Sequence, residues 1–174
     1  MSTPRLCTSL LVALAFGASL ADEAPDLGEA VDEAVLARVD HTILPDGDGL
    51  PDGSGTAADG AMVYQQNCLA CHGERGTDGI NDRLAGGHGS LVSIRPIKTV
   101  GSFWPYATTV FDYVRRAMPY QDPGSLSNDE IYAVTAYLLF VNDIVAEDKV
   151  IDAESLPLVK MPNRDGFAWD YTPQ

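Results

Sequence analysis

Residues 68–72 read Cys-Leu-Ala-Cys-His, and no other feature of the 174-residue chain restricts its fold as much. On one helical turn, side chains at i and i+3 leave the same face. Two thiols so placed can reach the two vinyl groups along one side of a porphyrin. The residue that follows can then swing its imidazole over the ring centre. In a chain of this composition the five-residue pattern arises by chance about once in a thousand sequences of this length. Two other readings compete. A thioredoxin-like redox pair follows a strand in a βαβ setting, whereas here the helix formers of Ala57–Gln66 run straight into Cys68. Half a zinc site needs a second ligand pair, yet the third cysteine is Cys7, near the N-terminus, and His41 and His88 are scattered. The pattern is read as the attachment site of one covalent haem c, held by Cys68 and Cys71, with His72 as the proximal iron ligand.

The chain opens MSTPRLCTSLLVALAFGASLADEAP. Arg5 supplies a positive n-region, Leu6 to Leu20 is apolar, and Ser19-Leu20-Ala21 offers small residues for cleavage, the pattern of a secretory signal peptide. As a membrane anchor the run falls short of about 20 apolar residues, and acidic residues follow at once. Residues 1–21, Cys7 included, are therefore expected to be removed on export, and no other segment is apolar enough to cross a bilayer. In an oxidising compartment paired thiols normally close disulfides, but a bridge from Cys68 to Cys71 would staple only a tiny loop. The net charge of −14 disfavours nucleic acid and anionic membrane surfaces as partners. It suits solubility, and it raises the expectation that redox partners present basic docking surfaces.

Residues 22–55 read as an N-terminal extension. Leu27, Val31, Val35 and Leu36 fall at helical spacing, and LPDGDGLPDGSG (44–55) reads as an irregular surface strap. The haem-bearing domain is expected over 56–145. Residues 73–103 are glycine-rich without a sustained period, a length of loop that needs something inside to order it. A second helix is expected from about Tyr106 to Arg116, with Val110, Phe111 and Val114 as its apolar stripe. The third is marked by a Ser127/Glu130 capping box, with Asp129 in its first turn. Ile131, Val134, Leu138 and Val141 then recur at threes and fours, beside Ala133 and Tyr137, to about Asn142. Residues 146–174, with Pro157, Pro162 and Pro173, read as an extended tail lying on the domain. No stretch alternates long enough to argue for a sheet.

For the sixth iron position the candidate is Met118, in Arg115-Arg116-Ala117-Met118-Pro119, between the second and third helices. Pro119 pushes Met118 out of the helical region, so the thioether can turn inward. Thioether ligation favours reduced iron. His88 and Met161 are the alternatives, while Met62, six residues before Cys68, reads as filler. Gly60 on the first core helix and Tyr137 on the third suggest a close crossing involving Tyr64, as packing rather than chemistry. Trp104, Tyr106, Arg115 and Arg116 are candidate partners for the haem propionates, since indole N–H, phenol and guanidinium all donate to carboxylates. Each also reads as an ordinary packed or solvated side chain.

With attachment site, Met-Pro loop and capped last helix in place, the chain resembles a class I cytochrome c. The resemblance implies an all-α domain with helices around one haem, here with extended N- and C-terminal segments. Residues 101–109 (Gly-Ser-Phe-Trp-Pro-Tyr-Ala-Thr-Thr) and 111–119 (Phe-Asp-Tyr-Val-Arg-Arg-Ala-Met-Pro) narrow it further. They are similar to the cytochrome subunits of periplasmic sulfite dehydrogenases and sulfane-sulfur dehydrogenases. So are 50–55 (Leu-Pro-Asp-Gly-Ser-Gly) and 159–167 (Val-Lys-Met-Pro-Asn-Arg-Asp-Gly-Phe). That implies a periplasmic monohaem electron-transfer protein without catalysis of its own. Its electrons would come from a molybdenum-cofactor subunit and go to another cytochrome. A general soluble carrier unconnected with sulfur, and a ligand-binding or sensing haem protein, are the other readings. Class I cytochromes usually place a proline after the haem histidine, near the carbonyl that holds its ring N–H. This chain has Ile80-Asn81-Asp82 there, where a backbone carbonyl can still accept that bond.

Overall fold

The computed structural model describes residues 28–168 and Asp170. The expected leader 1–21 lies outside the described residues, as do Leu27 and Pro173. The chain divides into two units, Met1–Arg38 and Val39–Gln174. The extension's helix, α1 (Glu33–Val39), begins at Asp32, whose carboxylate accepts the Ala34 N–H at 2.7 Å. Its apolar residues Val35 and Leu36 are exposed.

The second unit is built on three helices, α2 (Ala57–Asn67), α4 (Ala107–Ala117) and α5 (Asn128–Phe140), with a single turn, α3 (Leu69–His72), between the first two. Each begins or ends where local chemistry dictates. Thr56 and Asp59 form a reciprocal capping box on α2, as Ser127 and Glu130 do on α5. At the end of α4, Met118 leaves the helix in an extended conformation (φ −129°, ψ 145°), as the following proline requires.

α5 is the centre of this unit. Residues 131–139 are buried without interruption, so it presents apolar surface all round rather than the one stripe its spacing predicts. α2 and α4 both pack on it. A Cβ on Gly60 would lie 1.9 Å from the Ala133 carbonyl oxygen and 2.9 Å from the Tyr137 Cβ. Only glycine therefore lets α2 approach α5 this closely. The Tyr64 and Tyr137 rings meet beside that crossing at 4.9 Å.

Strap and tail go deeper than the sequence suggests. Ser54–Gly55 (β1) pairs antiparallel with Ile151–Asp152 (β2), a two-residue ladder too short to show in the sequence pattern. Ile151, Leu156 and Met161 of the tail are fully buried in the core, and Ile43 joins them from the N-terminal side. The tail is thus part of the core rather than a covering laid over it.

Candidate haem site

The helical axis breaks at Cys68, which ends α2 and begins α3 (φ −121°, ψ −33°). The next turn closes on it: the Cys71 and His72 N–H groups donate to the Cys68 carbonyl at 3.1 and 2.9 Å. The chain then returns over this turn, with the Asn81 N–H donating to the Cys71 carbonyl at 2.9 Å. Gly79 permits that approach, since a Cβ there would lie 2.3 Å from the Cys71 carbonyl oxygen.

The return positions one carbonyl that matters. His72 Nδ1 lies 2.8 Å from the Asp82 carbonyl oxygen. A carbonyl only accepts, so Nδ1 carries the proton and Nε2 keeps its lone pair for a metal. This is the contact that a proline loop usually supplies, made here by Ile80-Asn81-Asp82.

Cys68, Cys71, His72, Trp104 and Met118 all line one cavity of ≈ 600 Å³. Val100, Val110, Val114, Val134 and Leu138 give it apolar walls, and Arg83 and Lys98 add two cations. The Met118–Gln121 segment reaches the attachment turn, with Gln121 Nε2 3.9 Å from Cys71 Sγ. Both thiols are free. Burial, and then the neighbouring Cys71, push the Cys68 thiol up to about 11, so it is neutral at pH 7. Tyr64 is pushed up to about 12 by burial, and its phenol donates to the Gly73 carbonyl at 2.8 Å, pinning the end of α3. Among the described residues no three His, Cys, Asp or Glu side chains converge as a metal site, so Cys68 and Cys71 find no second ligand pair for zinc. Two thiols, an imidazole with a directed lone pair, a thioether, apolar walls and nearby cations together fit a haem with its two propionates.

Not every candidate arrives there. Arg115 and Arg116 do not line the cavity, because α4 turns them away; Arg116 instead pairs with Asp112 one turn back, its Nε donating to Oδ1 at 2.9 Å. Tyr106 is also outside, its ring covered by the Arg164 guanidinium of the tail at 4.3 Å. His88 lines a separate shallow pocket with Asn142, Asp143 and Lys160. Met161 is sealed in the core, and Met62, expected as filler, is 63 % exposed.

Asn142 is the important residue that the sequence did not single out. Buried at the end of α5, its amide donates to the Leu84 and Leu138 carbonyls at 3.1 and 2.8 Å and accepts the Gly86 N–H at 2.9 Å. It fastens to α5 the loop that carries Asp82. Thr99 adds a second fastening, donating to the Gly86 carbonyl at 2.6 Å. A lone Asn after an apolar helix gives no signal of such a role in sequence.

A family model described as "Cytochrome C oxidase, cbb3-type, subunit III" matches residues 55–138. No curated protein matches. Among solved structures, a chain in the crystal structure of the sulfane dehydrogenase SoxCD from Paracoccus pantotrophus is similar, at 43% identity and a TM-score of 0.78. The match covers 84% of this chain and 73% of that one.

Proposed function

This chain belongs to the class I c-type cytochromes, and it resembles the cytochrome subunits of periplasmic sulfite and sulfane-sulfur dehydrogenases; on that premise we propose a single covalent haem c, bound through Cys68 and Cys71, as its working group. The observation that carries this reading is the tethered His72, its Nδ1 proton on the Asp82 carbonyl, in the same cavity as both thiols and Met118. His72 Nε2 would hold the iron, and the Asp82 carbonyl fixes the ring's tautomer and raises its basicity. The Met118 thioether, in the same cavity, would supply the second protein ligand to that iron. Bound there, haem supplies a one-electron couple at its iron. The valines and Leu138 keep water from that site, while Arg83, Lys98 and the Trp104 indole replace the arginines of α4 and Tyr106 as propionate partners.

The electron donor is a molybdenum-cofactor subunit that oxidises a sulfur compound, and the acceptor is another cytochrome. The 43% identity to a chain of a sulfane dehydrogenase supports that setting. The protein works after export and removal of residues 1–21, as the electron-transfer subunit rather than the catalytic one. No helix among the described residues is long and apolar enough to cross a membrane.

The test is to purify the haem-loaded protein from its host with its bound subunit, assay that subunit for molybdenum, and follow haem reduction by stopped flow on adding sulfite or thiosulfate. Fast reduction is expected. A subunit without molybdenum, or haem that stays oxidised, would contradict the donor assignment. Carbon monoxide added to the reduced protein should bind poorly; ready binding would mean an open sixth position.

A further inference from the structure

Residues 90–97 form a closed loop beside the haem cavity. Ser90 Oγ accepts the Ile97 N–H at 3.0 Å and donates to the Gly87 carbonyl at 2.6 Å, so one hydroxyl ties the two ends together. Buried Ser102 holds the base, donating to the Ile97 carbonyl at 2.6 Å. The tip that this firm base carries is apolar and uncovered: Val92 is 96% and Ile94 100% exposed. Two neighbouring β-branched side chains held out into water are unfavourable for a chain that leaves them there. The base of the loop reaches the haem site, because Lys98 lines the cavity.

Charge points the same way. Residues 83–111 contain Arg83, Arg95 and Lys98 and not one Asp or Glu, in a chain with 25 of them and a net charge of −14. Along this stretch of chain the sign is therefore opposite to that of the chain as a whole, with Asp82 at its start, Asp112 at its end and Asp78 3.7 Å from Arg83. Beyond about 8 Å surface charges are screened at physiological ionic strength, so contact is decided by the local sign.

We propose that the 90–97 loop is the docking surface for the electron-donating subunit, which receives Val92 and Ile94 in an apolar pocket bordered by a carboxylate that faces Arg95. The proposal rests on the electron-transfer reading above. It replaces the basic partner surface that total charge suggests with an acidic one at the point of contact.

The experiment uses the haem-loaded protein and the purified molybdenum subunit, with binding and stopped-flow reduction measured at low and physiological salt. The V92S/I94S pair should weaken binding at least about tenfold. Arg95→Glu should weaken it most at low salt. Leu158→Ser, at a residue 82% exposed elsewhere, should leave it unchanged. Spectrum, potential and reduction by ascorbate should match wild type throughout, since Val92, Ile94 and Arg95 do not line the cavity. If wild type is reduced by the subunit and V92S/I94S binds as tightly, the docking surface is wrong while the electron-transfer reading stands. If wild type is never reduced, that reading fails and the proposal with it. Tighter binding by Arg95→Glu would overturn the acidic border. Self-association of wild type that Ile94→Ser abolishes, with subunit binding unchanged, would assign the loop to a second copy of this chain and overturn the proposal.

Discussion

At the scale of single residues, the site depends on groups that hold other groups. His72 owes its tautomer to the Asp82 carbonyl, and that carbonyl keeps its place because Asn142 fastens the adjoining backbone to α5. Asn142→Ala removes three hydrogen bonds and leaves buried backbone groups unpaired, so it should cost about 3 kcal/mol in denaturant unfolding. It should also lower the reduction potential, because a loosened loop lets water reach the histidine; an unchanged potential would confine Asn142 to stability. Met118→Ala should abolish the weak sulfur-to-iron band at the red end of the oxidised spectrum and lower the potential. If both survive, another ligand fills the sixth position. That the thiols, imidazole and thioether line one cavity agrees with the sequence reading, which could single them out because each chemistry allows few residue types. The cations that line the cavity were not, because a cation's reach depends on which way its helix faces: Arg115 and Arg116 share a helix with cavity residues yet point elsewhere, whereas Arg83 and Lys98 sit in a loop without a period.

At the scale of elements, two capping boxes and one glycine set the frame. The Ser127 box was readable as a fixed interval ahead of a strong apolar period; the Thr56 box has the same interval with Asp in place of Glu. The close crossing of α2 and α5 was readable from Gly60 and Tyr137, although the atom in Gly60's way is the Ala133 carbonyl oxygen, which no side-chain pattern reveals. Gly60→Ala should force the helices apart and destabilise the fold by about 1–3 kcal/mol, measured as a lowered midpoint in urea. A midpoint within error of wild type would mean that the crossing relaxes freely. The two-residue ladder and the buried tail stayed hidden because pairings between residues about a hundred positions apart leave no local periodicity.

At the scale of the whole molecule, acidity has a stability consequence and the proposed covalent attachment a functional one. Ser127 holds the Glu130 carboxyl below its ordinary value, chiefly through its backbone N–H, and Ser155 does the same for Asp152, chiefly through its hydroxyl. Both groups have lower values folded than unfolded. Their contribution is complete above the ordinary carboxylate range, about 4, and is lost as pH falls through the depressed folded values. The variant E130Q/D152N should therefore be less stable than wild type at pH 7 and converge with it as pH drops below about 4. A gap that persists into acid would mean that the carboxylate charge is not what stabilises these turns. The haem itself is tested most directly by intact mass and haem staining of the denatured, acid-acetone-extracted protein expressed with a cytochrome c maturation system. One haem retained per chain, lost together with the stain in a C68A/C71A variant, is the result expected of attachment at Cys68 and Cys71. A chain that runs at its bare polypeptide mass, with all its haem in the organic extract, would contradict it.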